Sequence, residues 1–301
     1  MTAIFSQARF QNADAARQHL EQLRWPTGAI CPHCGGTERN VLLQGKATRP
    51  GLYFCGDCRT QFTVTVGTVF ERSKIALNVW LQAVHLMCAS KKGISAKQVE
   101  RMLGVTYKTA WFMCHRIREA MKSTGGMLGG NSSPVEVDET YWGTEPGKQK
   151  RGGVGSKLKI VSLVDRKGEK RSFHVARVNA NTLRPILTAH IARNSHLMTD
   201  DAAVYDRIGG NFHTHSTVNH SAGEYSRGNI TTNTVESSFA ILKRGLYGTF
   251  HNVSEQHLQR YADEFDFRWN HRLALGCSDT QRAEAALKGI VGKRLMYSHS
   301  S

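Results

Sequence analysis

Two Cys-x₂-Cys pairs, Cys31-Pro32-His33-Cys34 and Cys55-Gly56-Asp57-Cys58, stand 20 residues apart. Four thiolates at this spacing can close a tetrahedral shell around one zinc ion. The intervening stretch is rich in Gly and β-formers, so residues 29–66 are expected to form a small β-rich module. Such a module has too little core to fold alone, and zinc binding would supply much of its folding free energy. Gly35 and Gly56 lie in the knuckles, where backbone must turn tightly around the ion. Four thiolates leave no open position for water, so the ion is read as structural. His33, between two ligands, is expected to face outward. Cys88, Cys114 and Cys277 have no partner at ligand spacing and read as core or surface thiols.

The chain of 301 residues is 40% hydrophobic, enough for a sizeable core. The length allows two domains, or one large domain with an appendage. Lys plus Arg is 40 against 24 Asp plus Glu, a formal net charge of +16. That excess points to a polyanionic partner, DNA or RNA first. A membrane surface is disfavoured because no long basic amphipathic helix is present. No run of 18 apolar residues exists, which excludes a transmembrane helix. Met1–Arg9 lacks the charged start and apolar stretch of a signal peptide, so a cytoplasmic location with reduced thiols is expected.

Helical periodicity is read over residues 12–23, 74–90, 95–104 and 107–121, with Ser95 capping the third and Gly104 ending it. The last two have helix-turn-helix proportions, with Val99, Leu103, Ala110, Cys114 and Ile117 as a shared apolar face. On this reading Tyr107, Lys108, Arg116 and Arg118 are presented to DNA. Residues 123–134 are glycine-rich and uncharged, and read as a linker. Beyond it, strands are expected at 135–141, 158–164, 171–178, 196–199 and 212–218. Helices are expected at 181–193, 202–208, 232–245 and 254–270, a mixed α/β order.

Three acids fall at telling places in this pattern. Asp138 lies on the first strand, where alternation puts it on one face with Glu136, opposite Val135 and Val137. Asp200 and Asp201 end a short strand, and Glu236 opens a helix. Strand Asp, strand-end Asp and helix Glu are the parts of a two-metal carboxylate site. Hard oxygen ligands suit Mg²⁺ or Mn²⁺, and such a pair of ions serves in-line phosphoryl transfer. Lys243, seven residues after Glu236, lies on the same helix face and could reach a substrate phosphate. The segment 147–159 holds Lys148, Lys150, Arg151, Lys157 and Lys159 without an acid, and reads as a loop that clamps DNA backbone.

These motifs carry a family resemblance. Arg24-Trp25-Pro26 before the first cysteine pair, Gly67-Thr68-Val69-Phe70, Val137-Asp138-Glu139-Thr140-Tyr141, Thr199-Asp200 and Asn233-Thr234-Val235-Glu236 belong to it. So do Leu242-Lys243-Arg244-Gly245 and His257-Leu258-Gln259-Arg260-Tyr261. Across nearly its whole length the chain resembles the zinc-ribbon insertion-sequence transposases of the ISXO-like group, whose catalytic domain is of the DDE, ribonuclease-H-like kind. The resemblance implies an α/β fold: a ribonuclease-H-like catalytic domain preceded by a small zinc ribbon and a helix-turn-helix segment. Expected domains are 1–70 (helix and ribbon), 71–122 (helical, DNA-binding), 123–134 (linker) and 135–295 (catalytic). It further implies that Asp138, Asp200 and Glu236 are the metal-binding triad, Lys243 the associated basic residue, and Asp200 rather than Asp201 the ligand. His220 and Asn233 fall in family-like stretches with no assigned role. The implied partners are double-stranded DNA, both element ends and target, and further copies of the chain in a synaptic complex. The rivals are a transposase-derived regulator that binds DNA without cutting it, and a nuclease of the same fold without strand transfer.

Overall fold

The computed structural model describes residues 3–148 and 154–296. They form two compact units: residues up to 121 together with those from 278 onward, and residues 122–277.

The first unit begins with the helices α1 (Ala8–Gln11) and α2 (Ala13–Arg24). Asn12 caps α2, its side-chain oxygen accepting from the Asp14 and Ala15 amides. The strands β1 (Asn40–Leu42), β2 (Tyr53–Cys55) and β3 (Gln61–Phe62) form an antiparallel ribbon. Trp25, Tyr53 and Phe62 cluster edge-on and stacked on this ribbon. The helices α3 (Leu77–Ala89), α4 (Ala96–Leu103) and α5 (Tyr107–Met121) follow. Ser95 caps α4 through the Gln98 amide, and Gly104 closes it in the left-handed conformation at φ 64°. The chain returns to this unit with α10 (Asp279–Lys288), which packs against α3. There Arg282 donates to the Cys88 carbonyl at 2.8 Å. The sequence reading contains no such returning helix.

The second unit is built on a five-stranded sheet of β4 (Pro134–Trp142), β5 (Leu158–Asp165), β6 (Lys170–Val175), β7 (His196–Asp200) and β8 (Thr214–Val218). Its spatial order is β6-β5-β4-β7-β8, with β5 antiparallel to both neighbours and the β4–β7 and β7–β8 pairs parallel. This is the ribonuclease-H-like arrangement. Helices α6 (Ala180–His190) and α7 (Ala203–Gly209) cover one face. Val135, Val137, Val161, Leu163 and Leu197 meet Leu183, Leu187, Tyr205 and Ile208 there. A short hairpin of β9 (Ser226–Arg227) and β10 (Ile230–Thr231) precedes α8 (Asn233–Gly245) and α9 (Glu255–Asn270). These helices cover the other face, with Trp142, Leu158 and Ile160 against Leu242, Leu258 and Phe265. Within residues 123–134, positions 123–127 and 131–132 are exposed, and the stretch is anchored at its middle. Leu128 is buried and bridges to Ile191, and the Gly129 amide donates to Asp165 at 2.9 Å.

The α9 face also buries charge. Lys170, 1% exposed, lies 3.2 Å from the Asp266 carboxylate, which accepts from Ser172 at 2.7 Å. Burial pushes the Asp266 carboxyl up and the Lys170 ammonium down, and each charge opposes the other's shift. Removing one partner of such a pair costs about 3–5 kcal/mol. Lys170→Met is therefore expected to lose stability on that scale in urea unfolding at pH 7. A buried acid with a raised folded-state pKa weakens the fold above its unfolded pKa. The deficit should therefore shrink as the pH falls towards the ordinary carboxylate range and Asp266 takes up a proton.

Candidate functional sites: a thiolate cluster and a carboxylate site

The first candidate site is the thiolate cluster. Cys31, Cys34, Cys55 and Cys58 bring their sulfurs within 4.8 Å of one another. Cys31 Sγ lies 3.7 Å from Cys58 Sγ, and Cys34 Sγ lies 3.6 Å from Cys55 Sγ. A tetrahedron with Zn–S bonds of about 2.3 Å has edges of about 3.8 Å, so the sulfurs already stand where zinc would hold them. The knuckle after Cys31 closes through Gly35 N–H donating to the Cys31 carbonyl at 2.9 Å, with Gly35 at φ 78°. At the second knuckle Gly56 N–H donates to the Arg39 carbonyl at 2.7 Å, and a side chain at Gly56 would press on Arg39. The cluster fits a structural zinc ion.

The second candidate site lies on the sheet of the second unit. The last pair of the β4–β7 ladder is Glu136 with Met198. Two residues further along each strand come Asp138 and Asp200, on the same face by alternation. Glu236 stands in the first turn of α8. Asp200 and Glu236 both act on Asp138. Burial above all, with smaller contributions from Glu139, Asp200 and Glu236, raises the Asp138 carboxyl to about 8 against one hydrogen bond from the Glu139 amide. Burial also raises Asp200, as does the adjacent Asp201. Asp138 accepts from the Glu139 amide at 2.7 Å, Asp200 from the Ala202 amide at 3.2 Å, and Glu236 from Thr232 Oγ1 at 2.8 Å. Among the described residues no Lys or Arg is ion-paired with any of the three. The set offers hard oxygen donors without a Lys or Arg partner, which is the chemistry of a divalent-cation site. The three are not drawn together as tightly as the thiolates are.

His220 joins this site. Its Nε2 lies 3.2 Å from Glu236 Oε1 and 3.1 Å from Thr232 Oγ1. Asn233 is the exposed first residue of α8, its amide donating to Thr231 Oγ1. Lys243 is half-buried on α8, two turns beyond Glu236.

Two acids beside the triad carry contacts that periodicity did not assign. Glu136 is fully buried and receives Thr234 N–H at 2.8 Å, Thr234 Oγ1–H at 2.8 Å and Val235 N–H at 3.0 Å. Arg166 Nε lies 3.5 Å from it. Glu139, on the opposite face, accepts from the buried Tyr205 hydroxyl at 2.5 Å. The available signal for Glu136 was its place on the buried face of a strand, where a carboxylate requires partners.

The expected DNA-facing residues divide. Tyr107 and Lys108 are exposed at the start of α5. Arg118 is 2% exposed, and Arg116 is half-buried, donating to the Glu71 carbonyl at 3.2 Å and stacking over Phe112. These two arginines lie on or beside the inner face of α5 with Ala110, Cys114 and Ile117 rather than being presented outward. Lys148 and Lys159 both pair with Glu145, which they hold down at about 2. Lys159 belongs to β5, and Lys157 is half-buried just before it. Lys150 and Arg151 lie outside the described residues.

The thiolate geometry generates an expectation. The purified chain should carry one zinc ion, and Cys55→Ser should lose it. Residues 31–62 should then become sensitive to proteolysis while the second unit stays protected. Zinc release on chelation, followed colorimetrically, checks the stoichiometry.

Comparison with known proteins bears on both sites. Residues 11–61 match the family described as transposase zinc-ribbon domain. Residues 127–270 match the family described as ISXO2-like transposase domain. A protein of Halobacterium salinarum, described as an uncharacterized protein in transposable element ISH50, is 29% identical over 276 residues. The match covers 86% of this chain and 91% of that protein. Among solved structures, a pre-cleavage Mos1 transpososome is 14% identical over 63% of this chain and 75% of that one, with a TM-score of 0.23. The Mos1 strand transfer complex is also 14% identical, over 64% and 77%, with a TM-score of 0.23. With its four clustered cysteines in the one and the sheet bearing the acids in the other, the chain carries a transposase zinc-ribbon domain and an ISXO2-like transposase domain.

Proposed function

We propose that this transposase binds the terminal inverted repeats of its own element, cleaves the DNA there and joins the freed end to target DNA. The observation that carries the reading is that Asp138, on the same face of the sheet as Asp200, feels both Asp200 and Glu236, with no Lys or Arg ion-paired to any of the three among the described residues. Burial first, and then the neighbouring carboxylates, raise the Asp138 carboxyl to about 8. A site that resists its own charge is suited to two divalent cations, Mg²⁺ or Mn²⁺, held by these three acids. When bound, such ions supply charge neutralisation at the attacking and leaving oxygens of a phosphodiester.

The chain's own groups do the rest. Lys243 meets a substrate phosphate along α8. His220, hydrogen-bonded to Thr232 and 3.2 Å from Glu236, fixes the orientation of the Glu236 carboxylate. The exposed Tyr107 and Lys108, with the zinc ribbon, bind the terminal repeat, with α4 and α5 acting as a helix-turn-helix. The basic segment 147–159 contacts backbone near the cut. The net charge of +16 makes association strongly salt-dependent, each neutralised phosphate adding about 0.9 to the log–log salt slope. Two ends are held by further copies of the chain in a synaptic complex.

The test uses DNA flanking this protein's own gene as a linear fragment, with purified protein, Mg²⁺ or Mn²⁺ and a supercoiled plasmid. Wild type should join fragment to plasmid. Asp138→Ala and Asp200→Ala should keep DNA affinity within a small factor and lose cleavage by about 1,000-fold, the equivalent of about 4 kcal/mol of charge stabilisation. Binding without cleavage would make the chain a regulator. Cleavage without joined product would make it a nuclease. Cleavage surviving in Asp200→Ala would remove that residue from the site.

A further inference from the structure

We propose that Glu136 is a positioning residue: it caps α8 from the neighbouring strand and thereby holds Glu236 at a fixed separation from Asp138. The inference rests on the reading of these two acids as cation ligands.

A helix leaves its first four amides without intrahelical partners, and a side chain at the N-cap ordinarily takes the second or third of them. In α8 the N-cap is Thr232, whose side chain makes no capping bond. Its hydroxyl is turned instead to the Glu236 carboxylate at 2.8 Å. Asn233 N–H donates to Thr231 Oγ1 at 3.1 Å, Glu236 N–H makes the first intrahelical bond to the Thr232 carbonyl at 3.1 Å, and the remaining cap comes from elsewhere. The second and third amides, Thr234 and Val235, both donate to one carboxylate oxygen of Glu136. The other oxygen receives the Thr234 hydroxyl. The helix is thus capped by a residue 98 positions earlier in the chain.

Glu136 is fully buried, and a buried carboxylate is costly unless partnered. Its partners are the positive end of the helix dipole and the Arg166 guanidinium at 3.5 Å. Arg166 also donates to the Asn229 carbonyl in the β9–β10 turn, just before α8. The same strand that carries Asp138 therefore grips the first turn of the helix that carries Glu236. Asp138 is two residues beyond Glu136 on one face of β4. Glu236 is one residue beyond Val235 on α8. The bonds are short, rigid and charge-assisted, so they fix the gap between the two acids.

The test compares full-length wild type with Glu136→Gln, Glu136→Asp and Leu187→Ala. The last is buried on the α6 face, away from the acids, and controls for a general loss of stability. Amide exchange over residues 232–238 reads the cap, and Mn²⁺ affinity, followed by the paramagnetic signal of the free ion, reads the acid geometry. In Glu136→Gln the Thr234 and Val235 amides should exchange faster, and Mn²⁺ affinity should fall by roughly tenfold or more, the scale for lost partners of metal ligands. Affinity for terminal DNA should stay within about twofold, since Glu136 is buried away from any surface DNA can reach. Glu136→Asp, which keeps the charge on a shorter arm, should lie between wild type and Gln. Leu187→Ala should lose thermal stability and keep its Mn²⁺ affinity.

Unchanged exchange in Glu136→Gln would overturn the proposal. So would faster exchange with unchanged Mn²⁺ affinity, or an equal Mn²⁺ loss in Leu187→Ala. Wild type that binds Mn²⁺ but does not cut DNA would sink the functional reading alone, leaving Glu136 to be decided by the exchange and affinity data. Wild type that binds no Mn²⁺ would sink both.

Discussion

The second unit depends on the pairing of β4 at the centre of its sheet. β4 is bonded from Val135 to Trp142 to antiparallel β5 and over its first three residues to parallel β7. Period-two alternation along β4 then sorts its side chains between two unlike environments. Val135 and Val137 enter the apolar layer beneath α6 and α7. Glu136, Asp138 and Thr140 turn to the α8 and α9 side. A shift of one residue in register would exchange these sets, placing carboxylates in the apolar layer and valines among the acids. The strand's register and the site's composition are one constraint.

The α8/α9 side is unusual in how much polarity it buries. Ser162 stands opposite Asp138 in register, and its hydroxyl meets that of Ser172 at 2.7 Å. Ser172 donates to Asp266, which pairs with Lys170. This line of groups crosses β5 and β6 to α9, and its members bond to one another. An unpartnered polar atom there would cost roughly 1–3 kcal/mol, whereas a closed network costs little and admits few alternative packings. The sheet's acid-bearing face is therefore held by directional bonds as well as by apolar contact, which suits a surface on which carboxylate positions matter.

The parts of this architecture that were legible in the sequence have local causes. Alternation located β4, β5 and β7 to within a residue or two, and Ser95 and Gly104 marked both ends of α4. Cysteine spacing anticipated the thiolate cluster because the knuckles are local turns. What stayed hidden has causes far along the chain. Nothing in Asp279–Lys288 says that its partner is α3, some 190 residues earlier. The glycine-rich stretch at 123–134 read as a linker because Leu128, its one large buried side chain, finds Ile191 only in three dimensions. Arg116 and Arg118 read as outward cations, yet long aliphatic stems can be buried where the guanidinium finds carbonyls and rings. Glu136 was visible as a companion of Asp138, but its partners on α8 lie 98 and 99 positions on.

The two candidate metal sites also separate by chemistry. The ribbon offers four soft thiolates already at zinc-like spacing, a closed shell with no place for a further ligand. The carboxylate site offers hard oxygens, looser in their grouping, with burial raising the pKa of Asp138 and Asp200. Soft ligands select zinc and hard ones Mg²⁺ or Mn²⁺, so neither site competes well for the other's ion. The difference in preorganisation follows the difference in duty. A structural ion contributes most when its ligands are locked, and the ribbon's tight turns lock them. The proposed phosphoryl transfer needs a site that admits substrate oxygens among its ligands, and Glu236 is held instead by protein groups, by Thr232 and His220 and, through its helix, by Glu136.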